Sequence, residues 1–568
     1  MGRREFKIKP AGASVLLSLA AIVCARLFLL QSFDGSRQGR YYAMASGLLG
    51  SRGAALAGQS GLLGKVYRFC YGVTSSFPWY TIMLFCAGAV SLAVTGFVLC
   101  SVAEKRQMLL LQLILTGYFA ISLMGKLSSE TAACALTSAG VLLLFYAGSS
   151  WRKRFPLILA VLPALLLGSL LHFALFILCF SVMTGSITAD ILLGSSVFAG
   201  WSGSVYSPAG RERGKAENLI LFLLPALAAL LLAICLHRAD RKSLSGDETV
   251  TMYRQEAELA GLLKEYGLPE YEENKETYDS LGISEANYYF FRDTGNYDYT
   301  ILTAGAMRTL IGLRRYPVLS ISSLKAFADH VLPKMGKTWY FSGAVTIFVL
   351  CLLLGRRNRR MTFALLGELL VCGILCYVFW CRMFAVTGGA AGICYLTAVL
   401  CMFNVCVKGF PDNIGKDYFL LAGICAVILC MYFLRDQQRS RNSFISDRWN
   451  TNYHVLEVLH SDPDHFYFRK EGILSYENCA DPWKKDIGSV AYNTAFIGLE
   501  DIAPEDRERL REEYQVTDPW KDMIGNDKVY LIDDDIDQTL RYLRKNYSKK
   551  VKAAEAGKLD DRTVYRIW

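Results

Sequence analysis

The segment that follows the first apolar stretch carries the residues best suited to chemistry. It reads Ser32-Phe-Asp34-Gly-Ser-Arg37-Gln-Gly-Arg40-Tyr-Tyr42, so that one carboxylate precedes two arginines. A carboxylate in this position is suited to deprotonating an acceptor hydroxyl, and arginines hold phosphate through charge-assisted hydrogen bonds. We therefore predict Asp34 as general base, with Arg37 and Arg40 as phosphate ligands, in a transferase acting on a lipid-phosphate sugar. A solvated loop with ordinary interfacial arginines is the competing interpretation.

Ionisable residues inside apolar stretches form a second group of candidates, because a charge in the bilayer core is costly. Arg26, His172, Glu368 and Arg382 belong to this group. Glu368 lies deep in its stretch, so a buried partner is expected, with Arg26 or His172 as candidates. Arg26 and Arg382 lie near the ends of their stretches, where snorkelling towards the interface is an alternative. Glu368 and Arg382 are predicted to line a lipid-side groove.

The sequence contains no strong motif for a metal site or for nucleotide binding. The densest group of possible ligands has no strong metal-site spacing; it consists of His454, His460, Asp462, Asp464 and His465. The acidic run 533–537 fits the start of a helix better than a calcium loop. No Walker A, GxGxxG, GxSxG or HExxH motif is present. We therefore predict no metal and no cofactor.

The composition indicates a membrane protein. Of the 568 residues, 53% are hydrophobic, which is high for a soluble chain of this length. The net charge of +10 does not indicate nucleic acid as a partner. Basic residues cluster instead at the ends of apolar stretches, as at 152–154 and 356–360, which is typical of spans in a lipid bilayer. The sequence leaves the oligomeric state open.

Apolar stretches of span length recur along the chain, and a bilayer core about 30 Å thick needs about 20 helical residues. The predicted spans are residues 12–31, 78–100, 107–125, 129–148, 217–236, 338–355, 361–381, 386–407 and 417–434. Segment 155–200 is ambiguous, because its apolar core would be about 46 Å long as one helix. One tilted crossing, two crossings, or one crossing with a re-entrant helix all fit.

Charge distribution favours two crossings in that segment. With eleven spans the arginine cluster at 356–360 lies inside, together with Arg211, Arg213 and Lys215, whereas ten spans place the cluster outside. The first apolar stretch is interpreted as an uncleaved span with a cytoplasmic N-terminus. The prediction is a multi-pass plasma-membrane protein whose C-terminal domain is extracytoplasmic.

The chain divides into four predicted parts. A transmembrane module, 1–236, contains the loop 31–77; a mostly helical soluble insert covers 237–337; a second transmembrane module covers 338–434; and a soluble α/β domain covers 435–568. In the insert, apolar spacing predicts a helix over 248–266, stopped by Gly267, and a second helix capped by Ser284. In the tail, helices over 448–460, 504–514 and 535–547 alternate with short strands, the last two strands closing the domain.

Several short motifs resemble a group of bacterial multi-span proteins related to the GT-C glycosyltransferases. They are Ala45-Ser-Gly47, Leu62-Leu-Gly-Lys-Val-Tyr67, Phe77-Pro-Trp-Tyr80, Gln112-Leu followed by Ser129-Glu-Thr-Ala132, and the stretch from Tyr253 to Tyr278 followed by Gly282-Ile-Ser284. The resemblance covers most of the chain. It implies a mainly α fold, a polytopic bundle of about 10–11 spans with a small C-terminal α/β domain.

The resemblance also implies an activity. GT-C enzymes transfer sugar from a polyprenyl-phosphate donor, using an acid in the first extracytoplasmic loop. The chain departs from the related pattern, which has an acidic pair where this sequence has Arg37-Gln38. Either Asp34 takes the role through a shifted loop, or the catalytic acid has been lost. The alternative function is a non-enzymatic transporter of lipid-linked surface polysaccharide, or a partner in its assembly.

Overall fold

The structure, a computed structural model, describes residues 31–102, 123–193, 215–336, 359–382 and 451–568, with short gaps inside these ranges and scattered positions between 12 and 26. These residues are mainly helical, with a small sheet towards the C-terminus, as the sequence predicted. The predicted spans 338–355, 386–407 and 417–434, and most of 107–125, lie outside the described residues.

The helices follow one another along the whole described chain. They are α1 (Ser36–Ser46), α2 (Gly61–Val73), α3 (Trp79–Val102), α4 (Ser129–Gly148), α5 (Trp151–Leu171), α6 (Phe173–Leu193), α7 (Lys215–Leu244), α8 (Glu248–Tyr266), α9 (Lys275–Ser280), α10 (Glu285–Thr294), α11 (Ala304–Leu313), α12 (Ile321–Gly336), α13 (Arg359–Cys381), α14 (Pro504–Tyr514), α15 (Pro519–Asp522) and α16 (Ile536–Asn546). Residues 451–460 are also helical. The strands are β1 (Ser32–Phe33), β2 (Lys126–Leu127), β3 (Phe466–Arg469), β4 (Thr494–Phe496), β5 (Val529–Ile532), β6 (Ala553–Leu559) and β7 (Arg562–Ile567).

Local signals place the ends of the soluble helices where the sequence predicted them. The Asp247 side chain accepts a hydrogen bond from Val250 N at the start of α8, and Gly267 ends that helix with φ of 75°. A positive φ there is easily adopted only by glycine. Ser284 caps α10 by accepting from Asn287 N. These caps satisfy backbone donors that a helix leaves without intrahelical partners.

Three helical segments are long and apolar enough to cross a membrane: Trp79–Val98, Ser129–Ala147 and Leu219–Leu244. Shorter apolar segments occur at Val161–Leu171, Phe173–Thr188 and Leu370–Cys381. These segments are those of the described residues alone. The predicted character of a membrane protein is therefore supported, and the bundle of ten or eleven spans stays a prediction.

The ambiguous stretch 155–200 is divided at His172. Its backbone N–H donates to Gly168 O at 3.2 Å, which closes the last turn of α5. Its ring Nδ1 accepts from Leu175 N at 3.4 Å, in the manner of a helix N-cap. The stretch therefore contains two helices, α5 and α6, each 21 residues long, and each about 31 Å in length.

The described chain forms two compact units assembled from alternating segments. The first contains residues 1–31, 83–238 and 316–442, and the second contains residues 32–82, 239–315 and 443–568. We call these the apolar unit and the polar unit. The sequence treated the loop, the insert and the tail as separate parts, whereas the structure groups most of them in the polar unit.

Small residues allow close helix packing in the apolar unit. A Cβ added to Gly168 of α5 would lie 2.8 Å from Thr137 Oγ1 and 3.3 Å from Ala133 O, both on α4. A Cβ added to Gly140 of α4 would lie 2.6 Å from Leu165 Cδ2 on α5. Close approach at small residues is a common way for helices to pack in a membrane, where apolar burial gives no net drive.

The tail in the polar unit folds around a five-stranded sheet in the order β4-β3-β5-β7-β6. Strand β3 pairs in parallel with β4 on one side and β5 on the other. Strands β5 and β7, and β7 and β6, pair antiparallel. The carboxyl ends of β3, β4 and β5 therefore meet at one edge, which is where open α/β sheets usually bind ligands.

A buried carboxylate joins the insert to the tail. Asp298 is fully buried and accepts hydrogen bonds from the hydroxyls of Tyr542 at 2.7 Å and Tyr547 at 2.5 Å. It also accepts from the backbone N–H of Thr300 at 3.0 Å and from its hydroxyl at 2.6 Å. Burial, together with the nearby Asp298, raises the pKa of the Tyr542 hydroxyl, which therefore stays a donor at neutral pH.

We predict that Asp298→Ala loosens the contact between insert and tail. The hydroxyls of Tyr542 and Tyr547 would lose an ionised acceptor, and each such bond contributes about 1.5–3 kcal/mol. We expect the free energy of local opening of α16 to fall by about 3 kcal/mol. Hydrogen–deuterium exchange of the purified full-length protein measures this opening. Asp534→Ala, at an exposed carboxylate next to the same helix, is the control, and equal exchange in the two variants would contradict the prediction.

Candidate functional site

Helix α1 positions the residues predicted from the first loop. Asp34 precedes it and is exposed, Arg37 in its first turn is half-buried, and Arg40 is buried with 8% of its surface exposed. Arg37 and Arg40 are three residues apart and therefore share one side of the helix. The described part of the loop is thus folded, and Arg40 is packed into the polar unit.

Arg37 lies over helix α8 of the insert. Its Nη2 is 3.1 Å from the position that a Cβ on Gly261 would occupy, so the guanidinium rests where this helix has no side chain. The start of α1 is therefore in contact with the insert. Tyr253, further along α8, donates its hydroxyl to the sulfur of Met44 at 3.4 Å, near the end of α1. Both ends of α1 thus contact the same insert helix.

Arg40 lies at the carboxyl edge of the tail's sheet. Its Cζ is 5.7 Å from the ring centroid of Phe496, the last residue of β4. Arg469, the last residue of β3, places its Cζ 4.2 Å from the same centroid. A guanidinium near an aromatic face is attracted by the ring's quadrupole. One phenyl ring therefore brings together a cation from the first loop and a cation from the tail.

Arg469 and its neighbour hold this edge in place. Arg469 is fully buried and donates from Nη1 to the carbonyl oxygens of Ile473, at 3.4 Å, and Leu474. Lys470 pairs with Asp533 at 2.8 Å, and both side chains are buried. Asp533 also accepts from Thr539 Oγ1 at 2.6 Å. The charge of Lys470 is thus balanced within the tail, as a buried ammonium requires.

A cluster of tyrosines packs next to Gln38 of α1. Tyr80 donates its hydroxyl to Gln38 Oε1 at 2.8 Å and accepts from Gln59 Nε2 at 3.1 Å. Its backbone N–H donates to the Tyr71 hydroxyl at 3.2 Å. The ring of Tyr67 is 5.3 Å from that of Tyr80. Gln38, which occupies part of the site of the expected acidic pair, is therefore a buried structural residue.

Burial keeps these phenols neutral. Burial raises the pKa of Tyr42, and the neighbouring Tyr71 and Asp481 raise it further. Burial likewise raises the pKa of Tyr67 and of Tyr71. These hydroxyls stay protonated at neutral pH, and none of them is suited to removing a proton there. Asp34 remains the exposed carboxylate of this loop.

A second buried carboxylate fixes the loop to the insert. Asp240 accepts from the backbone N–H groups of Gly61 at 3.1 Å and Leu62 at 2.8 Å, at the start of α2. A carboxylate there is favoured by the positive end of the helix dipole. Arg254 of α8 donates to Gln59 O at 2.6 Å. Side chains of the insert therefore satisfy backbone groups at the start of α2 that have no partner within the helix.

The outer face of α2 is apolar and exposed. Val66, Phe69 and Val73 are all exposed and recur at helical spacing, and the exposed Phe77 follows in the turn before α3. The opposite face carries the buried Tyr67 and Tyr71. Helix α2 thus has two apolar faces. One is buried in the core, and the other is exposed on the opposite side of the helix.

The remaining predicted residues belong to the apolar unit. Glu368 lies on α13, and its side chain is outside the part that the structure describes. Arg382 follows the last residue of α13 and is exposed. Arg26 is also exposed, and its Nη1 donates to Gln31 Oε1 at 3.1 Å. The structure thus groups Asp34, Arg37 and Arg40 in one unit and Glu368 and Arg382 in the other.

The histidine-rich turn of the tail has a structural role. His465 Nδ1 lies 2.9 Å from both oxygens of Asp462, and Tyr467 donates its hydroxyl to Asp462 Oδ2 at 2.6 Å. Burial alone would raise the pKa of Asp462, but hydrogen bonds from Tyr467 and His465 outweigh it and lower the pKa. No group of metal ligands occurs among the described residues.

Comparison of the chain with protein-family profiles, with curated proteins and with solved structures finds no match.

We predict that the buried tyrosines of the first loop ionise only at a pH well above that of an exposed tyrosine. Because burial raises their pKa, the folded state holds their protons more tightly than the unfolded state does. The stability that they contribute is therefore complete below about pH 10 and falls as the pH rises above it. Near-ultraviolet absorbance after a rapid pH jump measures the tyrosinate formed.

The triple variant Tyr42→Phe, Tyr67→Phe, Tyr71→Phe provides the comparison. In denaturant, its titration step near pH 10 should shrink by three of the 31 tyrosines. In the folded protein, the same step should be unchanged, since these groups do not ionise there. Loss of three tyrosines from the folded step would show that the loop is open to solvent.

Proposed function

We propose that the chain is an integral membrane glycosyltransferase of GT-C-like architecture that uses a polyprenyl-phosphate-linked sugar to modify a cell-surface glycan or glycolipid. The observation that carries the proposal is the folded first loop. An exposed carboxylate, Asp34, precedes a helix bearing Arg37 and Arg40, and that helix is held by both the insert and the tail. A rigid support of this kind is what a catalytic constellation needs.

The grouping of segments supports the eleven-span topology. Residues 32–82, 239–315 and 443–568 form one compact unit, so they must lie on one side of the bilayer. An even number of crossings must then separate residue 82 from residue 239. One crossing in 155–200 would give five, and two would give six. The division at His172 into two helices of 21 residues each agrees with six, and the positive-inside rule points the same way.

This topology places the polar unit outside a plasma membrane when the N-terminus is cytoplasmic. The exposed apolar face of α2, formed by Val66, Phe69 and Val73, would then lie close to the bilayer surface. A polyprenyl-phosphate donor, whose lipid tail stays in the membrane, would reach the loop that carries Asp34 from that side.

The proposed reaction divides the work between the loop residues. The acceptor hydroxyl oxygen attacks the anomeric carbon of the sugar, and Asp34 takes the hydroxyl proton. The bond from that carbon to the phosphate oxygen breaks, and the polyprenyl phosphate leaves with the electron pair. Arg37 and Arg40 stabilise the departing phosphate. Arg37 is the more accessible of the two, and Arg40, buried against Phe496, adds charge and holds α1 in place.

Glu368 and Arg382 complete the proposal on the lipid side. Both belong to or follow α13, whose segment Leu370–Cys381 is apolar. An ionisable group in such a helix is a reasonable candidate for contact with a polar headgroup in a membrane groove. We propose that these residues line the path of the lipid donor, with no metal or cofactor required.

A second candidate function is supported by Gln38. Its buried amide accepts a hydrogen bond from Tyr80 at a position where the resemblance to GT-C proteins implies an acidic residue. A chain that has lost its acid could instead transport lipid-linked polysaccharide or support its assembly. In that case the ionisable residues of the apolar unit, Glu368 and Arg26, would matter more than Asp34.

We predict that Asp34→Asn lowers sugar transfer by at least about 100-fold, since a general base contributes about 10²–10⁴ in rate.

Arg37→Ala should raise the KM for the donor more than it lowers kcat, because it removes phosphate binding. The assay uses membranes containing the protein and a panel of radiolabelled polyprenyl-phosphate hexoses.

Asp534→Asn serves as the matched control, because it removes an exposed carboxylate of the same unit. Hydrogen exchange identifies any variant that fails to fold. Unchanged transfer by Asp34→Asn would refute the catalytic assignment. Loss of glycan export in Glu368→Gln and Arg26→Ala, with Asp34→Asn unaffected, would support the transporter.

A further inference from the structure

Helix α12 in the apolar unit has an apolar face that the protein leaves exposed. Ile321 is 88% exposed, Leu324 54% and Leu332 49%, and Leu319, just before the helix, is 101% exposed. At 100° per residue, Ile321, Leu324 and Leu332 fall within one narrow stripe. A stripe of large exposed apolar side chains is unusual for a surface in water and marks an interaction site.

The neighbouring face of α12 is packed against the end of α13. Phe327 is buried between Tyr377 and Trp380, with ring centroids at 5.5 and 5.6 Å. Tyr316, before the helix, stacks on Trp380 at 4.5 Å. The Tyr377 hydroxyl donates to Val318 O at 2.9 Å. These contacts fix the rotation of α12, so that its exposed stripe is a defined surface.

The aromatic residues at this contact indicate where α12 lies. Tyr377 and Trp380 occupy the last turn of α13, whose preceding residues are apolar. Tyrosine and tryptophan are enriched where a membrane helix meets the headgroups, because one end of each ring system is apolar and the other polar. The end of α13 therefore corresponds to the bilayer interface, and α12 is attached there.

The third face of α12 is polar and charged. Ser322, Asp329 and His330 are exposed about 80–180° around the helix from Ile321, whereas Lys325 lies at the edge of the stripe, about 20° from Leu332, and Lys334 is exposed near the end of the helix. Lysines beside an apolar face are typical of helices that lie in the headgroup region. The chain then continues into residues 338–355, an uncharged stretch of span length in the sequence. Both ends of α12 are thus close to the bilayer.

We propose that α12 is an interfacial helix that lies in the plane of the membrane, with Ile321, Leu324 and Leu332 inserted between the lipids, Ser322 and Asp329 in the water, and Lys325 at the level of the headgroups. The partner is the bilayer interface itself. The inference rests on the proposed membrane placement and not on sugar transfer. Because α12 is packed against the end of α13, its position at the interface then determines how deeply α13 lies in the bilayer. The depth of Glu368 and Arg382 in the membrane follows from that.

Spin labels on single cysteines test this proposal in the full-length protein, reconstituted into liposomes. The native cysteines are replaced, and labels are placed at 321, 324 and 332 on the stripe and at 322 and 329 on the polar face. Accessibility to oxygen, which concentrates in lipid, is compared with accessibility to a water-soluble nickel chelate. We expect the stripe labels to be open to oxygen and shielded from the chelate, with the reverse at 322 and 329.

Two results would overturn the proposal. Equal chelate accessibility at 324 and 329 would place the stripe in water. Shielding of 324 from both reagents would mean that protein, such as a second copy of the chain, covers it. If the cysteine-free variant does not fold, a photo-crosslinking amino acid at Leu324 or Asp329 of the native protein gives the same comparison. Lipid adducts should then form at 324 and not at 329, and the opposite pattern would refute the insertion of the stripe.

Discussion

The buried carboxylate of Asp298 is the constraint on which the polar unit depends. Its oxygens accept from Tyr542, Tyr547 and Thr300, so that a charge in the insert is stabilised by donors in the tail. Separating the two would leave either the charge or the hydroxyls without partners, which is costly in a protein interior. Asp240 has the same role between the insert and the loop, where it caps α2. Two carboxylates of one insert therefore hold together segments far apart in sequence.

This assembly gives the first loop a rigid support. Arg37 rests on α8 of the insert, and Arg40 meets Phe496 at the carboxyl edge of the tail's sheet. Arg469 approaches the same ring from within the tail. A helix held from two sides keeps the preceding carboxylate, Asp34, at a defined place on the surface. Residues 239–315 and the tail thus support the loop from two sides.

Much of the local structure could be predicted from the sequence, because it depends on neighbouring residues. Gly267 ends α8 through its positive φ, Ser284 caps α10, and Pro504 opens α14 as expected. The burial of Gln38 and Arg40 could not be predicted, since it depends on residues distant in sequence: Gln38 meets Tyr80, and Arg40 meets Phe496 in the tail. The short strand β4 was missed because three residues carry too little pattern. Two helices in 155–200 were among the predictions, but the position of the break at His172 was not, because a histidine N-cap is an uncommon signal.

The most direct test of this account is the side of the membrane on which the three segments of the polar unit lie. Ser75, Ser280 and Lys549 are exposed, one in each segment. Each is replaced singly by cysteine in a cysteine-free background, and intact cells are treated with an impermeant thiol reagent. The account predicts that all three positions are labelled without lysis. Labelling at one position, with protection at another until the cells are lysed, would contradict both the single polar unit and the eleven-span topology built on it.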